Sequence, residues 1–516
     1  MFPPIPQDSS LAPLHLLVLQ FLNNTKCAYF FAAIQTDKKW EELVAKTEDD
    51  FFAPDPVNYT SLVRYLKADR VIPTTRGPLG GLPSFIPRSG LSEGRPSLLF
   101  LNLPEVSESQ DPPSTADKAL KKIHGRSFPL MAFFGVSGCG KTRTAIEMLC
   151  KQWGFYFNGS STDWGSRDLL LLLTLVKERE GYKTCNSETN AHVHILALAL
   201  ILARVMILHH CLNIAKREGL TFTCKRWMLL QVGFHTMGIK DLFANLFKSI
   251  ARVIHLHFVD IEFINTTVTG RFSDLRQRLL SLPSNTPFQK FNYKILLVVD
   301  EAQNLDKDGF GTFLSQQWTS ESDQKNTAAS HDDYKRPVLS HLTHRFCRIA
   351  ADENEFCVIS CGTDPSIFDP QRLDDSAPVA KGCTELLGPF TDFGGWESLE
   401  QVRNYRDLVR RSLPNQEAMT IFDARVPDTS TPELFDSFRG RFRPIVFAIE
   451  RMIILRSNDG GISWKSAIKE TEDTLTSTDS PYYGKENIVF DIERMIARVA
   501  SFPARYTKYQ SIRATL

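Results

Sequence analysis

One stretch decides the fold class: Gly135-Val136-Ser137-Gly138-Cys139-Gly140-Lys141-Thr142. It fits the pattern G-x-x-x-x-G-K-[ST] of a phosphate-binding loop, whose backbone N–H groups surround phosphate oxygens. The apolar run Met131–Phe134 before it predicts a buried strand, and Arg143–Trp153 after it predicts a helix that ends at Gly154. Strand, glycine-rich loop and helix in this order are the context that the motif requires.

Each part of this loop has a predicted task in binding a nucleotide. Lys141 is predicted to reach the β and γ phosphates, and the Thr142 hydroxyl is predicted to coordinate Mg²⁺. Cys139 is predicted to fill the loop as a small residue, with an oxidation-sensitive thiol as the alternative. The residues predicted to bind the nucleotide are Gly135, Val136, Ser137, Gly138, Cys139, Gly140, Lys141, Thr142 and Arg143.

A second motif lies further along the chain, in Lys294–Asn304 (KILLVVDEAQN). The consecutive aliphatic residues Ile295–Val299 predict a strand that is covered on both faces, as in a parallel sheet. An acidic pair follows at the carboxyl end of this strand, where ligands bind in open α/β sheets. Asp300 is predicted to hold Mg²⁺, and Glu301 is predicted to act as the general base that polarises the attacking water.

A third segment, Phe356–Asp364 (FCVISCGTD), predicts another short buried strand that ends in small polar residues. In ATPases that insert a strand between the two motif-bearing strands, a polar side chain at this position contacts the γ-phosphate and the attacking water. Thr363 is the first choice for this sensor and Ser360 is the second. The alternative is a strand that ends in an ordinary glycine turn.

Two arginines are candidates for stabilising the charge that spreads over the γ-phosphoryl group during hydrolysis. Arg441 is the first choice, since Phe438–Pro444 (FRGRFRP) resembles the start of a sensor-2 helix in AAA-like ATPases. Arg336 is the second, as a finger acting in cis or from a neighbouring subunit of a homo-oligomer. For both, a surface or ion-paired arginine is the alternative. Arg204 lies inside an apolar helix and is predicted to be paired and structural.

Composition indicates a folded, core-rich protein without a strong charge bias. The chain has 516 residues, a formal net charge of +1, 42% hydrophobic residues and 36 Phe, so nothing draws it globally to nucleic acid or membranes. Its 10 Cys include no C-x-x-C pair, which argues for reduced thiols inside a cell. The cluster Lys118, Lys121, Lys122 and Arg126 is typical of a solvated helix face, with nucleic-acid binding as the alternative.

Two apolar segments are predicted to be packed helices and not export or membrane segments. Leu11–Leu22 follows Asp8 without a preceding Lys or Arg, unlike a secretory signal. Ile195–Ala215 is interrupted by Arg204 and two histidines, so it is too polar to span a bilayer and is predicted to be a buried core helix. We therefore expect a soluble, intracellular protein without a membrane partner.

Changes in composition divide the chain into three predicted regions. Residues 1–120 form an N-terminal region and linker that could bind a protein partner, residues 121–390 form the nucleotide-binding core, and residues 391–516 form a smaller, mostly helical, lid-like region. The predicted strands lie near residues 130, 252, 295 and 357 and at Leu98–Leu103. Together these features predict an α/β fold with a parallel sheet flanked by helices, of the P-loop NTPase type (AAA-like, ASCE).

Several stretches of the core carry a resemblance to a known family. The most specific are the aromatic block Trp153–Phe157 (WGFYF) and Trp227–Gln231 (WMLLQ), since many ATPases share phosphate-loop motifs. The other stretches are Leu98–Phe100, Phe134–Arg143, Leu202–Arg204, Asp300–Gln303, Arg336–Ser340 and Ser360–Thr363. The chain resembles, over roughly residues 98–455, the NTPase domain of Crinkler-type (CRN) proteins of oomycetes and fungi.

The resemblance implies an AAA-like ATPase that binds ATP with Mg²⁺ and couples hydrolysis to conformational change. Family members often carry fused toxin domains and act in other cells, so secretion into a host cell and a nuclear destination are implied as well. The chain shows no Leu-Phe-Leu-Ala-Lys header, and we expect ATP hydrolysis rather than toxicity. ATP is favoured over GTP because no Asn-Lys-x-Asp motif follows Ile359. A nucleotide-gated switch and an interaction scaffold are the alternatives.

Overall fold

The computed structural model describes the chain in segments. These segments are residues 40–52, 56–67, 98–104, 113–125, 130–135, 137–160, 164–178, 187–234, 240–257, 261–282, 294–307, 313–314, 335–351, 356–363, 387–413, 415–454 and 464–476. Leu11–Leu22, for which we predicted a packed helix, and Val136 of the phosphate loop lie outside them.

Five parallel strands form the central sheet, which confirms the predicted α/β class. They are β1 (Leu130–Phe134), β2 (Gly154–Asn158), β3 (Ile295–Asp300), β6 (Phe356–Gly362) and β7 (Leu387–Phe390). A separate antiparallel pair consists of β4 (Phe313–Leu314) and β5 (Lys335–Arg336). The order across the central sheet is β2-β3-β6-β1-β7.

The position of β6 in the sheet matches the prediction for the third motif. β6 lies between β1 and β3, with Val358 paired to Leu130 of β1 and to Leu297 of β3. Parallel strands bring their carboxyl ends to one edge of a sheet. The phosphate loop after β1, the acidic pair after β3 and the polar residues after β6 therefore lie along the same edge.

Helices cover both faces of the sheet and continue beyond it. They are α1 (40–52), α2 (Pro56–Lys67), α3 (Thr115–His124), α4 (Lys141–Lys151), α5 (Asp168–Glu178), α6 (Ser187–Glu218), α7 (Cys224–Gly233), α8 (Leu242–His257), α9 (Ile261–Leu280), α10 (Gln303–Lys307), α11 (Val338–Ala351), α12 (Leu399–Arg411), α13 (Gln416–Arg425), α14 (Thr431–Phe438), α15 (Phe442–Ile454) and α16 (Trp464–Thr476). Trp40 of α1 and Leu62 of α2 pack into the same core as α6.

Two hydrophobic cores cover the two faces of the sheet. Successive side chains of a strand point to opposite faces, so Leu297 and Val299 of β3 pack into the first core with α6. Leu296 and Val298 of the same strand pack into the second core with α4. Burial on both faces explains why β3 is a continuous aliphatic run instead of an alternating one.

Helix α6 is the central helix of the first core. The segment Asn190–Glu218 is long and apolar enough to cross a membrane, but 89% of its apolar window is buried inside the protein, as in the core helix of a soluble protein. Arg204 Nη2 lies 2.7 Å from Oδ2 of Asp168, and neither side chain is exposed. Its guanidinium also stacks 4.1 Å from the ring centroid of Phe243. Both predictions, a buried helix and a paired Arg204, are confirmed.

The aromatic block forms β2, an edge strand whose free edge is bonded by side chains of α7. Trp227 Nε1 donates a hydrogen bond to the carbonyl oxygen of Gly154 at 2.7 Å, and Gln231 Nε2 donates to the same oxygen at 3.2 Å. Gln231 Oε1 accepts from the N–H of Tyr156 at 2.9 Å. Two side chains one helical turn apart thus satisfy the backbone of a buried edge strand. The sequence analysis had not identified this block as a strand.

The strand predicted near residue 252 is wrong, because this segment is helix α8. Its apolar residues Phe243, Phe247 and Ile250 recur at helical spacing and pack into the first core. A short apolar run is ambiguous between strand and helix, and here the helical period decides the structure.

The C-terminal helices form a third core, as the helical patterns after residue 390 predicted. It contains Val402, Phe422 and Ile449, and it also takes in Leu98 and Leu101 from the segment before the nucleotide-binding core. The strand predicted at Leu98–Leu103 is wrong, because this segment begins with a short 3-10 turn. Residues three apart share a core here, Leu98 and Leu101 in the third core and Phe100 and Leu103 in the second, a spacing of three instead of the two of a strand.

Candidate active site

The phosphate-loop residues form a tight turn between β1 and α4. Gly138 (φ +79°) and Gly140 (φ +111°) adopt left-handed backbone conformations, which residues with a Cβ rarely adopt. A Cβ added to Gly138 would also lie 2.6 Å from Cβ of Arg443. No side chain caps α4 at Gly140, so the N–H groups of its first turn remain available to an anion. The turn itself therefore requires the glycines of the motif.

Lys141 is the first residue of α4, and its side chain folds back over the loop. Its Nζ donates a hydrogen bond to the carbonyl oxygen of Gly135 at 2.6 Å and lies 4.0 Å from Sγ of Cys139. The side chain is 7% exposed, and a buried ammonium group is costly. The ammonium group of Lys141 therefore lies on the inner side of the loop, where a bound phosphate group would compensate its charge.

Asp300 is the last residue of β3, and hydrogen bonds orient its buried carboxylate. The Tyr156 hydroxyl donates to its Oδ2 at 2.7 Å, and the N–H of Glu301 donates to its Oδ1 at 3.1 Å. The backbone of Asp300 is tied to the end of β2, because the N–H of Gly159 donates to its carbonyl oxygen at 2.9 Å. The predicted metal ligand is thus held by the aromatic block.

Glu301 follows Asp300 in a left-handed backbone conformation, with φ +53°. Its carbonyl oxygen accepts from the N–H of Asn304 at 3.0 Å, which closes a turn at the end of the strand. Its carboxylate Oε2 accepts a hydrogen bond from Gln303 Nε2. The side chain is partly exposed.

Cys361 lies near the carboxyl end of β6 and is influenced by several of the predicted groups. Burial raises the pKa of its thiol well above the ordinary value, and the nearby carboxylates of Asp300 and Glu301 raise this pKa further. The ammonium group of Lys141 opposes that rise. The charges of Lys141, Asp300 and Glu301, far apart in the sequence, therefore all act on one thiol near the end of β6.

The remaining hydroxyl candidates differ in position and in exposure. Thr142, in the first turn of α4, is partly exposed. Thr363 directly follows β6 and is also partly exposed, whereas Ser360 lies inside the strand and is 3% exposed. Ser360 is paired with Ala132 and Val299 on the two neighbouring strands. Position and exposure favour Thr363 over Ser360 as the residue that can contact a ligand at this edge.

Arg143 points away from the loop and towards the segment before the core. Its Nη1 donates to the carbonyl oxygens of Leu99 and Leu101 at 2.6 and 2.8 Å, and its Nε donates to Glu147 at 2.6 Å. We had predicted Arg143 among the nucleotide-binding residues. In this structure its guanidinium joins the phosphate-loop helix to the 3-10 turn, and its backbone N–H is the part that remains in the loop region.

Arg443, which the sequence analysis did not select, contacts the loop directly. Its N–H donates to the carbonyl oxygen of Gly138 at 3.1 Å, and its side chain is exposed. Arg441, our first choice, is 7% exposed and precedes α15. Arg336 lies in β5, and its side chain is outside the described part of the chain. The signal that could have identified Arg443 is the repeated arginine of FRGRFRP.

Aromatic side chains from the C-terminal part of the chain cover the phosphate loop. Phe393 lies 3.4 Å from a Cβ built on Gly135, and Phe442 lies 3.1 Å from one built on Gly140. The N–H of Gly440 donates to the carbonyl oxygen of Trp396 at 3.1 Å, which joins the two covering segments. The loop is therefore in direct contact with the start of α15.

Glu450 lies at the junction of α15 with the segment before the core. Its Oε1 accepts from the N–H of Leu98 at 2.6 Å. Burial raises the pKa of this carboxyl to about 7, although the Leu98 N–H and the guanidinium groups of Arg443 and Arg451 lower it. A carboxyl with this pKa changes charge near neutral pH, at the contact between α15 and Leu98.

Glu450→Gln is expected to raise the free energy of unfolding by up to about 3 kcal/mol near pH 8 and to change it little near pH 5. The folded-state pKa of about 7 lies above the ordinary 4.5. The folded protein therefore binds this proton more tightly, and its stabilisation is lost as the pH rises through that window. Gln resembles the protonated form and still accepts from Leu98. Urea unfolding at both pH values measures the difference.

The matched control for this measurement is Glu417→Gln, the same change at an exposed position of α13. It is expected to leave the unfolding free energy unchanged at both pH values, within about 0.5 kcal/mol. A difference between Glu450→Gln and the wild type that is the same at both pH values would contradict the raised pKa.

Comparisons with known proteins do not assign a function to this chain. No protein-family model matches this chain, and no curated protein and no solved structure matches it. The function is therefore inferred from the phosphate loop, the acidic pair and the strand order that joins them.

Proposed function

We propose that this protein is a Mg²⁺-dependent ATPase. The observation that carries the proposal is the position of β6 between β1 and β3, which brings Lys141 and the acidic pair to one edge of a parallel sheet. A phosphate loop alone binds an anion, and an acidic pair alone is common at strand ends. Their meeting at one edge supplies both the charge and the base that hydrolysis of a phosphoanhydride needs.

The loop binds the triphosphate. The uncapped N–H groups at the start of α4 and the ammonium group of Lys141 face the phosphate oxygens and neutralise their charge. Lys141 exchanges its hydrogen bond with the Gly135 carbonyl for the phosphates. Gly138 and Gly140 allow the backbone to approach the phosphates closely, since no Cβ intervenes.

Asp300 and the Thr142 hydroxyl are the groups that hold Mg²⁺. No cluster of three or more His, Cys, Asp or Glu that could hold a metal ion occurs in the described residues. Mg²⁺ needs no such cluster, since it takes most of its ligands from phosphates and water. A single buried carboxylate beside a phosphate loop therefore fits this ion. When bound, Mg²⁺ neutralises charge on the phosphate oxygens.

Glu301 carries the hydrolytic step. Its carboxylate accepts a proton from the attacking water while the oxygen of that water bonds to the γ-phosphorus and the bond to the leaving diphosphate breaks. Thr363, at the end of β6, donates its hydroxyl to the same region. Arg443, which touches the loop through Gly138, joins Arg441 and Arg336 as a candidate for stabilising the transferred group.

The family proposal follows from the same residues. The aromatic block and Trp227–Gln231 carried the resemblance to Crinkler-type NTPase domains. The two segments contact each other, because Trp227 and Gln231 form hydrogen bonds with the backbone of the block. Tyr156 of the block in turn donates a hydrogen bond to Asp300, so the resembling segments support the acidic pair. We propose that the chain is an AAA-like ATPase of this type, whose hydrolysis drives a conformational change.

A nucleotide-gated switch is the second candidate, and one contact favours it. The start of α15 touches the loop directly, through the hydrogen bond from the Arg443 N–H to the Gly138 carbonyl oxygen. Binding of a triphosphate in the loop changes the surroundings of this contact. Occupancy of the site can thus move the C-terminal helices even without turnover.

Lys141→Ala is expected to weaken ATP binding by about 30- to 100-fold and to remove Mg²⁺-dependent phosphate release. The variant loses the ammonium group inside the loop but keeps the glycines that shape it. Equilibrium binding of ATP and release of inorganic phosphate, each with and without Mg²⁺, measure both effects.

The control is Lys151→Ala, at the other end of α4, where the lysine Nζ pairs with Asp117 Oδ1 at 2.6 Å. This variant loses the same charge from the same helix and is expected to bind ATP like the wild type. Normal ATP binding by Lys141→Ala would show that the site is assigned to the wrong residues.

A further inference from the structure

The side chain of Gln303 contacts the carboxylate of Glu301. Gln303 is the first residue of α10 and is 7% exposed, and its Nε2 donates a hydrogen bond to Oε2 of Glu301. Its own Oε1 is buried and accepts no hydrogen bond from the described residues. Burying an amide oxygen in this way is unfavourable. The hydrogen bond to Glu301 is therefore the favourable interaction of the Gln303 side chain among the described residues.

The backbone of Glu301 is fixed, but its side chain needs a further constraint. The left-handed φ of +53° is held by two hydrogen bonds, one from the Glu301 N–H to Asp300 and one from the Asn304 N–H to the Glu301 carbonyl oxygen. These bonds do not select a rotamer of the flexible glutamate side chain. A general base must be held within hydrogen-bond reach of the proton that it accepts. Gln303 supplies that constraint.

We propose that Gln303 is a positioning residue that orients the carboxylate of Glu301 for hydrolysis. The proposal rests on the ATPase function inferred above. A neutral amide donor binds one carboxylate oxygen and leaves the other free to accept the proton of the attacking water. A lysine or arginine at this place would orient the carboxylate as well, but its positive charge would make the carboxylate a weaker base.

The test compares Gln303→Leu in two backgrounds. In the wild-type protein the substitution is expected to lower kcat for ATP by about 10- to 100-fold, with the equilibrium affinity for ATP unchanged. In the Glu301→Gln variant the same substitution is expected to change the remaining kcat by less than about twofold, because positioning acts only through the carboxylate. A merely structural role of Gln303 would lower the rate equally in both backgrounds.

The chain offers a matched control at the opposite end of the sheet. Gln152 is 2% exposed, its Oε1 lies 2.9 Å from Nε2 of His124, and its Nε2 donates to the carbonyl oxygen of Lys294. Gln152→Leu removes a buried amide at the end of α4, next to the amino end of β3, without touching Glu301. It is expected to lower the melting temperature but not kcat at a temperature where the variant is folded.

The outcomes separate this proposal from the proposed function. A kcat of Gln303→Leu within about twofold of the wild type, or an equal loss in both backgrounds, overturns the role of Gln303 and leaves the ATPase function standing. A wild-type protein that binds ATP in a Lys141-dependent way but releases no phosphate overturns both. A large loss confined to the background with Glu301 supports the proposal, provided that Gln152→Leu keeps its kcat.

Discussion

Phosphate release by the Glu301→Gln variant is expected to be about 10²- to 10⁴-fold slower than by the wild-type protein, while ATP remains bound. Gln is nearly isosteric with Glu and keeps an oxygen that can accept from Gln303, but it cannot take a proton from water. Asp300 and Lys141 are unchanged, so the groups that bind Mg²⁺ and the phosphates remain. Steady-state phosphate release and equilibrium binding of ATP measure the two effects separately.

Glu400→Gln, the same change at an exposed position of α12, is the control and is expected to keep full turnover. Equal turnover by the wild type and Glu301→Gln would remove Glu301 from the site. Tight ATP binding by the wild type without any turnover would instead favour the nucleotide-gated switch.

Asp168→Asn is expected to lower the free energy of unfolding by about 3–5 kcal/mol, the largest stability effect that we predict. The substitution leaves Arg204 buried without its carboxylate, which now lies 2.7 Å from both Nε and Nη2. Arg204 Nη1 would keep only its 3.2 Å bond to Gln231 Oε1, the group that also holds β2. Chemical denaturation followed by tryptophan fluorescence measures the loss.

A double-mutant cycle separates the lost charge pair from general disruption. Asp168→Asn together with Arg204→Met is expected to be less destabilised than the sum of the two single variants by at least about 1–2 kcal/mol. The exposed pair Lys118 and Asp392, 3.5 Å apart, is the control, and Asp392→Ala is expected to cost less than about 0.5 kcal/mol. Additive losses at Asp168 and Arg204 would mean that the two residues act independently.

Features that depend on neighbouring residues could be predicted from the sequence. The turn at Gly138 and Gly140 and the burial of β3 follow from short-range patterns, as does the helix predicted from Arg143, which begins two residues earlier, at Lys141. The glycines are needed because the turn has positive φ, and the aliphatic run Ile295–Val299 is needed because both faces of the strand are covered. The core helix around Arg204 was predictable for the same kind of reason.

Contacts between distant residues were predicted less well. The sequence analysis selected Arg441, which stays a prediction, and did not select Arg443, whose N–H donates to the carbonyl oxygen of Gly138. It predicted that Arg143 binds the nucleotide, but the Arg143 guanidinium donates hydrogen bonds to the carbonyl oxygens of Leu99 and Leu101. It did not identify Gln303 or Tyr156, since neither role is visible without the partner carboxylate.

By itself the sequence determined a tight glycine-rich turn between a strand and a helix, a buried strand with an acidic end and an α/β fold, because hydrogen bonding and backbone preference within a few residues encode each of them. The position of β6 between β1 and β3 agrees with the sequence-based prediction, but only the tertiary structure decided that Tyr156 reaches Asp300 at 2.7 Å. The same holds for the Trp227 and Gln231 bonds to the edge of β2. These contacts join residues far apart in the chain, and they form only when the packing of both cores brings the elements together.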